Sequence, residues 1–435
     1  MRDGSCSVRD GRSGAPHLAL YLVLVALVTA CASHKPEPEW GRPLPEGARA
    51  LLPLGPGDKR PDLAAQWERR DELLAAVELT LPWFDKPSSK AHFPVEGVTL
   101  QRAKDSVLRF REILLSANGA ADFARRVEAD FEVFKSAGWD AMGGGVLYTG
   151  YFTPILDGRR ERGGAYQYPL YALPPDLVKD AHGTTLGRKS AAGALSPYPD
   201  RQAIETGKLL DGQGLELVWL GDPLDAYIAH VNGSAVIRMG DGSLMRLGYA
   251  GKNGHDYVSL RDALLAEKQL TSDDSHLPGI RKWAGRNPPE KVLTYLHRNP
   301  SYVFFTPIDG RPRGSLNVEV TPEITLATDK RLFPRGGLVF VDTALPGIDG
   351  RGKLDYQRLM LDQDTGGAIR TAGRADIYLG VGPLAARRAG STRAEGQLYY
   401  FFLKPGKTAG AAPAATDAPP EESTPIEDAA SAAVG

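Results

Sequence analysis

Apolar residues recur at helical spacing three times in the first third of the chain. Leu63, Trp67, Leu74 and Val77 follow Pro61 and Asp62, and Leu100, Ala103, Val107, Phe110 and Leu114 run up to Asn118-Gly119. Phe123, Val127, Phe131 and Phe134 make the third set. Each set puts its apolar side chains on one face of a 3.6-residue helix and predicts a core-facing helix with no chemistry of its own. From about residue 146 the apolar runs shorten and are punctuated by Gly, Pro and Asp. They predict strands at 215–220, 226–231, 235–239, 244–249 and 302–305, and later at 324–328, 338–341, 358–361, 375–379 and 398–403. One helix, over 289–298, interrupts them. Many short strands separated by turn signals indicate barrels, not a doubly wound parallel sheet, so the chain reads as mainly β with N-terminal helices.

The 435 residues leave room for two or three domains. Lys and Arg total 52 against 53 Asp and Glu, which argues against a nucleic-acid partner, since such proteins carry a basic excess to neutralise phosphates. Only Cys6 and Cys31 are present, both ahead of the folded region, which excludes a disulfide framework and a thiolate zinc site.

The first residues change the picture. Arg2, Arg9 and Arg12 precede an apolar run from Leu18 to Val28, too short to cross a bilayer of roughly 30 Å as a helix, so the segment reads as an export signal. Val28-Thr29-Ala30-Cys31 resembles the bacterial lipobox, in which the lipid-modified cysteine becomes the mature N-terminus. A plain signal peptide with an incidental cysteine is the alternative. Acylation at Cys31 would anchor the protein to a membrane without a spanning helix. Ala32 after the cysteine resembles lipoproteins sent to the outer membrane. Residues 32–60, rich in Pro, Glu and Gly, read as a flexible tether, and 406–435, without aromatics, as a disordered tail.

Candidate chemistry is narrowed by elimination. Gly143-Gly144-Gly145 lacks the following Lys-Ser/Thr of a phosphate loop, and Gly366-Gly367 reads as a tight turn. The 8 histidines form no HxH or HxxxH pair, and no G-x-S-x-G elbow occurs. Carboxylates remain. Asp329, Asp364 and Asp376 all lie beside strand signals, where an ionised side chain is disfavoured unless something requires it. If Asp364 and Asp376 share a cleft, mutual repulsion would raise one pKa and leave a protonated acid. Turn capping around Gly366-Gly367 and Gly373 is the equally open alternative.

A series of ordered blocks resembles one family. Thr149-Gly150-Tyr151-Phe152-Thr153-Pro154 is followed by Tyr168-Pro169-Leu170-Tyr171, then Ser196-Pro197-Tyr198 and Arg201-Gln202-Ala203-Ile204-Glu205. Trp219 through Tyr227, Arg246 through His255 and Asn299 through Phe305 come next, and Asp329, Asp364 and Asp376 stand as in a three-aspartate module. The chain from about residue 62 to 404 thus resembles the lytic transglycosylase A family. Thr153, Arg370 and Leu379 depart mildly from its pattern, and none of them removes the expected acid.

The resemblance implies a double-psi β-barrel with a second small β-barrel inserted in it and a substrate groove between them. The first domain would begin with 61–154, residues 155–300 would be the insert, and 301–405 would return to the barrel. It implies cleavage of peptidoglycan glycan strands between N-acetylmuramic acid and N-acetylglucosamine, with formation of 1,6-anhydromuramoyl ends and no cofactor or metal. Asp376 is mapped as the single acid and base, with Asp364 as partner or rival and Asp329 as support. Gly150, Tyr151, Tyr249, Lys252, Asn253 and His255 are candidate groove residues. Cell-wall synthesis proteins are plausible partners, and a monomer is the default expectation. A non-catalytic wall-binding lipoprotein and a water-using glycoside hydrolase are the competing readings; the hydrolase needs a second carboxylate, for which Asp364 is the candidate.

Overall fold

Strands and helices are described here from a computed structural model covering residues 38–180, 183–347 and 352–409; the export signal and Cys31 lie outside the described residues. Residues 51–53, inside the segment read as a tether, form β1 (Leu51–Pro53), which pairs antiparallel with β2 (Phe131–Ser136). Between them lie helices Arg70–Phe84, Leu100–Ser116 and Ala120–Asp130. The Leu100–Ser116 helix begins where Thr99 caps it, its side chain accepting from the Arg102 amide at 3.1 Å, a contact worth about 1 kcal/mol. It buries Ala103, Val107, Phe110 and Leu114, the stripe read from the sequence. The third stripe is split. Its helix ends at Asp130, and Phe131 and Phe134 belong to β2, where the Phe134 ring packs 6.1 Å from Phe402. Their helical spacing is incidental, because pairing with neighbouring strands decides the conformation.

β3 (Val146–Thr153) joins five later strands in a closed ring: β13 (Thr325–Ala327), β14 (Leu338–Pro346), β15 (Lys353–Asp364), β16 (Arg374–Val381) and β17 (Arg393–Leu403). The order runs β17-β14-β15-β13-β16-β3, and β3 pairs back to β17 through Arg393↔Thr149 to Gly396↔Val146. The far half of β17 carries β2 and, beyond it, β1. Leu326, Phe340, Leu361, Ile377 and Leu398 are fully buried within the core shared with the N-terminal helices.

Between β3 and β13 the chain builds a second sheet. It contains β4 (Ile155–Arg159), β5 (Tyr168–Tyr171), β9 (Glu216–Leu220), β10 (Ala235–Met239), β11 (Leu244–Lys252) and β12 (Val303–Pro307), in the order β12-β11-β10-β4-β9-β5. A bridge between Ala172 and Phe305 brings its two ends together. It has its own core, including Leu170, Val218, Ile237 and Phe305. A small sheet of β6 (Leu177–Lys179), β7 (Thr185–Lys189) and β8 (Leu195–Ser196) extends from it.

Residues 226–231, expected as a strand, lie in a helix, Pro223–Asn232. The signals were present: Asp222 caps the Leu224 amide at 2.8 Å, Pro223 occupies the first turn, and Gly233 at φ 68° closes the end in a left-handed conformation. Helices Leu260–Ala266, Leu277–Arg286 and Gly382–Ser391 were not anticipated; the last packs on β3 and β16.

Candidate active site

Two aspartates meet across a single residue. Ala327 in β13 pairs with Asp364, the last residue of β15, and on its other side with Asp376 in β16. Asp376 pairs in turn with Thr149 of β3, which pairs with Arg393 of β17. Laterally paired residues project to the same face of a sheet, so Asp364, Asp376 and Thr149 form one row. Tyr151, two residues on from Thr149, shares that face.

Each aspartate is held by one of these β3 side chains. Thr149 donates its hydroxyl to Asp376 Oδ1 and accepts from Arg374 Nη2 at 3.0 Å; the same guanidinium nitrogen lies 3.4 Å from Asp376 Oδ1. Asp376 Oδ2 accepts no hydrogen bond among the described residues, and the Asp376 side chain keeps 16% of its surface. One oxygen is therefore fixed and the other is open.

Asp364 is enclosed instead. Tyr151 donates to its Oδ2 at 2.8 Å, and the amides of Ser315 and Thr365 donate to its Oδ1, each at 2.8 Å. Gly314 lies so close that an added Cβ would sit 3.0 Å from the carboxyl carbon. Burial pushes the Asp364 carboxyl above the usual carboxylate range, opposed by those three hydrogen bonds and by the Lys330 charge. Burial and the Asp364 charge hold the Tyr151 phenol well above its ordinary value, so it remains a donor. The Tyr151 ring rests 5.1 Å from that of Tyr378, whose hydroxyl lies 3.1 Å from Thr153 Oγ1.

Asp329 stands apart from this pair. Its carboxylate accepts from the Arg331 amide at 3.1 Å and from both edges of the Arg331 guanidinium at 2.9 and 2.6 Å, while its carbonyl accepts from Leu332 and Phe333. It organises the turn after β13. Gly150 provides clearance: a Cβ there would meet Leu379 Cδ1 at 2.6 Å and Ala389 Cα at 2.8 Å. Asn253 is buried and directed inward, donating to the carbonyls of Pro199 and Pro300 at 2.9 and 2.8 Å and accepting from the Tyr302 amide at 2.9 Å. His255 Nε2 pairs with the Tyr198 carbonyl at 2.7 Å. Tyr249 is exposed on β11, and Lys252 ends that strand. Burial lowers the Lys252 pKa, reinforced by Arg370 and opposed by Asp256.

The loop after β11 reaches the loop after Asp364: Asp256 lies 3.8 Å from Arg370, and an added Cβ on Gly367 would touch Tyr257. The two sheets thus meet beside the aspartate row. Sequence reasoning missed Thr149 and Arg374 as site residues. The period-2 rule places Thr149 on the face of Tyr151, and Arg374 on that of Asp376, but neither rule names a partner. Among the described residues, no three His, Cys, Asp or Glu side chains converge as a metal site. An acid with one restrained and one open oxygen, beside a buried carboxyl, is equipped for proton donation to a leaving oxygen and for recovery of a proton afterwards.

Comparison with known proteins identifies the family. Residues 147–306 match the family model described as the MltA specific insert domain, and 324–402 match the 3D domain. The chain is 34% identical to the membrane-bound lytic murein transglycosylase A of Escherichia coli K12 over 268 residues, which covers 60% of this chain and 67% of that protein. The Vibrio cholerae enzyme of the same name is 32% identical, with 61% and 67% covered. A crystal structure of a membrane-bound lytic murein transglycosylase from Agrobacterium tumefaciens superposes with a TM-score of 0.67 at 26% identity, covering 81% of this chain and 98% of that one. Escherichia coli MltA with bound chitohexaose superposes at 0.60 and 25% identity, covering 86% and 97%.

Proposed function

The chain belongs to the membrane-bound lytic murein transglycosylase A family and acts as a peptidoglycan lytic transglycosylase, and we propose that it does so with Asp376 as the single acid and base. Asp376 Oδ2 donates its proton to the glycosidic oxygen between N-acetylmuramic acid and N-acetylglucosamine. Thr149, itself held by Arg374, and the Arg374 guanidinium hold Oδ1, so the open oxygen is the one presented to the substrate. The carboxylate then takes the proton of the muramoyl C6 hydroxyl as that oxygen attacks C1. A 1,6-anhydro ring forms and no water is consumed; the intramolecular nucleophile supplies the entropic advantage of a tethered reactant. Asp364, enclosed by three donors, supplies field and geometry and does not activate water. Among the further groove candidates, Tyr249 and Lys252 are the contacts we favour; Asn253 and His255 support the loop that follows Lys252.

The observation that carries the assignment is the difference between an open Asp376 oxygen and a fully hydrogen-bonded Asp364. The wider organisation follows the same reading with one boundary moved: the insert expected over 155–300 extends to Pro307, because β12 pairs within its sheet, and the glycan lies between it and the barrel built by the segments on either side. Lipidation at Cys31 would hold the enzyme on the periplasmic face of the outer membrane, within reach of wall-synthesis proteins.

Mass spectrometry of digested peptidoglycan tests the assignment. Wild type yields muropeptides one water lighter than reducing-end products, and Asp376→Asn lowers their rate by about 10²–10⁴-fold with glycan binding retained. Reducing-end products would instead indicate a hydrolase, and an unimpaired Asp376→Asn enzyme would move the acid to Asp364.

A further inference from the structure

A second polar site lies one loop away from the aspartates. A cavity of about 340 Å³, near the lower end of the range for small-ligand sites, opens between the 91–95 loop and the turn after β13. Its two sides differ in character. Phe93, Pro94 and Val95 form an apolar side, and Lys330, Arg331 and Arg335 line the other.

The three cations are not equivalent. Lys330 is spent on buried Asp362, and Arg331 on Asp329. Arg335 has neither a hydrogen bond nor an ion pair among the described residues. Burial presses its pKa down, and Asp362 and Asp329 offset this only at longer range. A partly buried guanidinium with unused donors, facing a cavity, is matched by an anion that accepts from two of its N–H groups.

The apolar side narrows the class of anion. A free phosphate would leave Phe93 and Val95 uncovered, whereas a carboxylate on an aliphatic arm satisfies both sides. The position narrows it further. Thr184, on the opposite lip, precedes Thr185, whose hydroxyl holds the Lys252 carbonyl at 2.6 Å. Arg331 Nη2 donates to the Arg370 carbonyl at 3.2 Å, in the loop that follows Asp364. The cavity is thus fastened to both flanks of the proposed glycan path. Peptidoglycan strands bring carboxylates there by covalent attachment, because each muramic acid carries a peptide on its lactyl group.

We propose that this cavity is a subsite for the carboxylate-bearing stem peptide of the glycan strand, with Arg335 as its anchoring cation. The proposal rests on the transglycosylase reading and adds to it a preference for peptide-bearing over naked strands.

The test compares detergent-solubilised full-length wild type, Arg335→Gln and Arg335→Lys on intact strands and on strands stripped of peptide by an amidase, counting anhydro ends. Wild type favours intact strands. Arg335→Gln raises KM on them roughly tenfold, leaves kcat and stripped-strand turnover unchanged, and Arg335→Lys recovers part of the loss. Equal losses on both substrates, no loss on either, or protection of the site by inorganic phosphate but not by free stem peptide would overturn the proposal. Absence of anhydro ends from both substrates with wild type is a different failure, one that removes the transglycosylase reading itself.

Discussion

Removing one hydroxyl, in Tyr151→Phe, probes how the buried carboxyl is maintained. The phenol donates at 2.8 Å to Asp364 Oδ2 and is the largest of the contributions that oppose the effect of burial on that carboxyl. A hydrogen bond to a charged acceptor contributes about 1.5–3 kcal/mol, and one to a neutral acceptor about 0.5–1.5 kcal/mol. The variant therefore loses about 1 kcal/mol more when Asp364 is ionised than when it is protonated. The folded pKa of Asp364 lies above the unfolded value, about 3.9. Between the two values the native state binds the extra proton, so the group favours folding at low pH and this contribution is lost as pH rises through the folded pKa. Tyr151→Phe moves that folded pKa further up and widens the window. Urea unfolding compared at an acidic and at a neutral or alkaline pH, on either side of the folded Asp364 pKa, should show a larger destabilisation at the higher pH, by about 1 kcal/mol. Equal destabilisation at both values would refute the claim that Tyr151 acts on the charge of Asp364.

Other substitutions separate structural from chemical roles. Asp329→Ala should cost about 1 kcal/mol in urea unfolding, since its partner Arg331 is 62% exposed and the ion pair is screened. Its turnover should stay within about twofold on this argument; a hundredfold loss of kcat would return Asp329 to the chemistry. Lys330→Met strands the fully buried charge of Asp362 and should cost about 3–5 kcal/mol by the same unfolding measurement. Gly150→Ala forces a methyl into Leu379 and the backbone of the Gly382–Ser391 helix, with an expected loss of about 1–3 kcal/mol in thermal or urea melts.

The strands of the ring were legible because β13 to β17 are dense in branched and aromatic residues bounded by turns. Their extent was not: β15 runs from Lys353 to Asp364, whereas only 358–361 stood out, because Lys353, Asp355 and Gln357 interrupt the apolar run. The Pro223–Asn232 helix was misread because its short apolar run, Ala226 to Val231, has no periodicity that separates strand from helix, although its caps were visible. The two aspartates were located through motif resemblance. Their different settings were invisible, since these depend on Thr149 and Arg374 closing on Asp376 and on the Ser315 amide reaching Asp364 across 49 positions of sequence. Asn253 illustrates the reverse error: a residue type suited to sugars is consumed by the carbonyls of two prolines.

The closure of the ring has a consequence for how the protein is made. β17 is the last strand of the ring in sequence, and it is the one that bridges β14 and β3 and carries β2. Until β17 is in place, β3 and β14 each present an unpaired edge, and an open edge recruits strands from other chains. A product stopped before Arg393 would therefore keep both aspartates and lose the strand that closes the ring around them. The edges on which aggregation begins are therefore shielded only in a chain that extends through Leu403 and has docked β17.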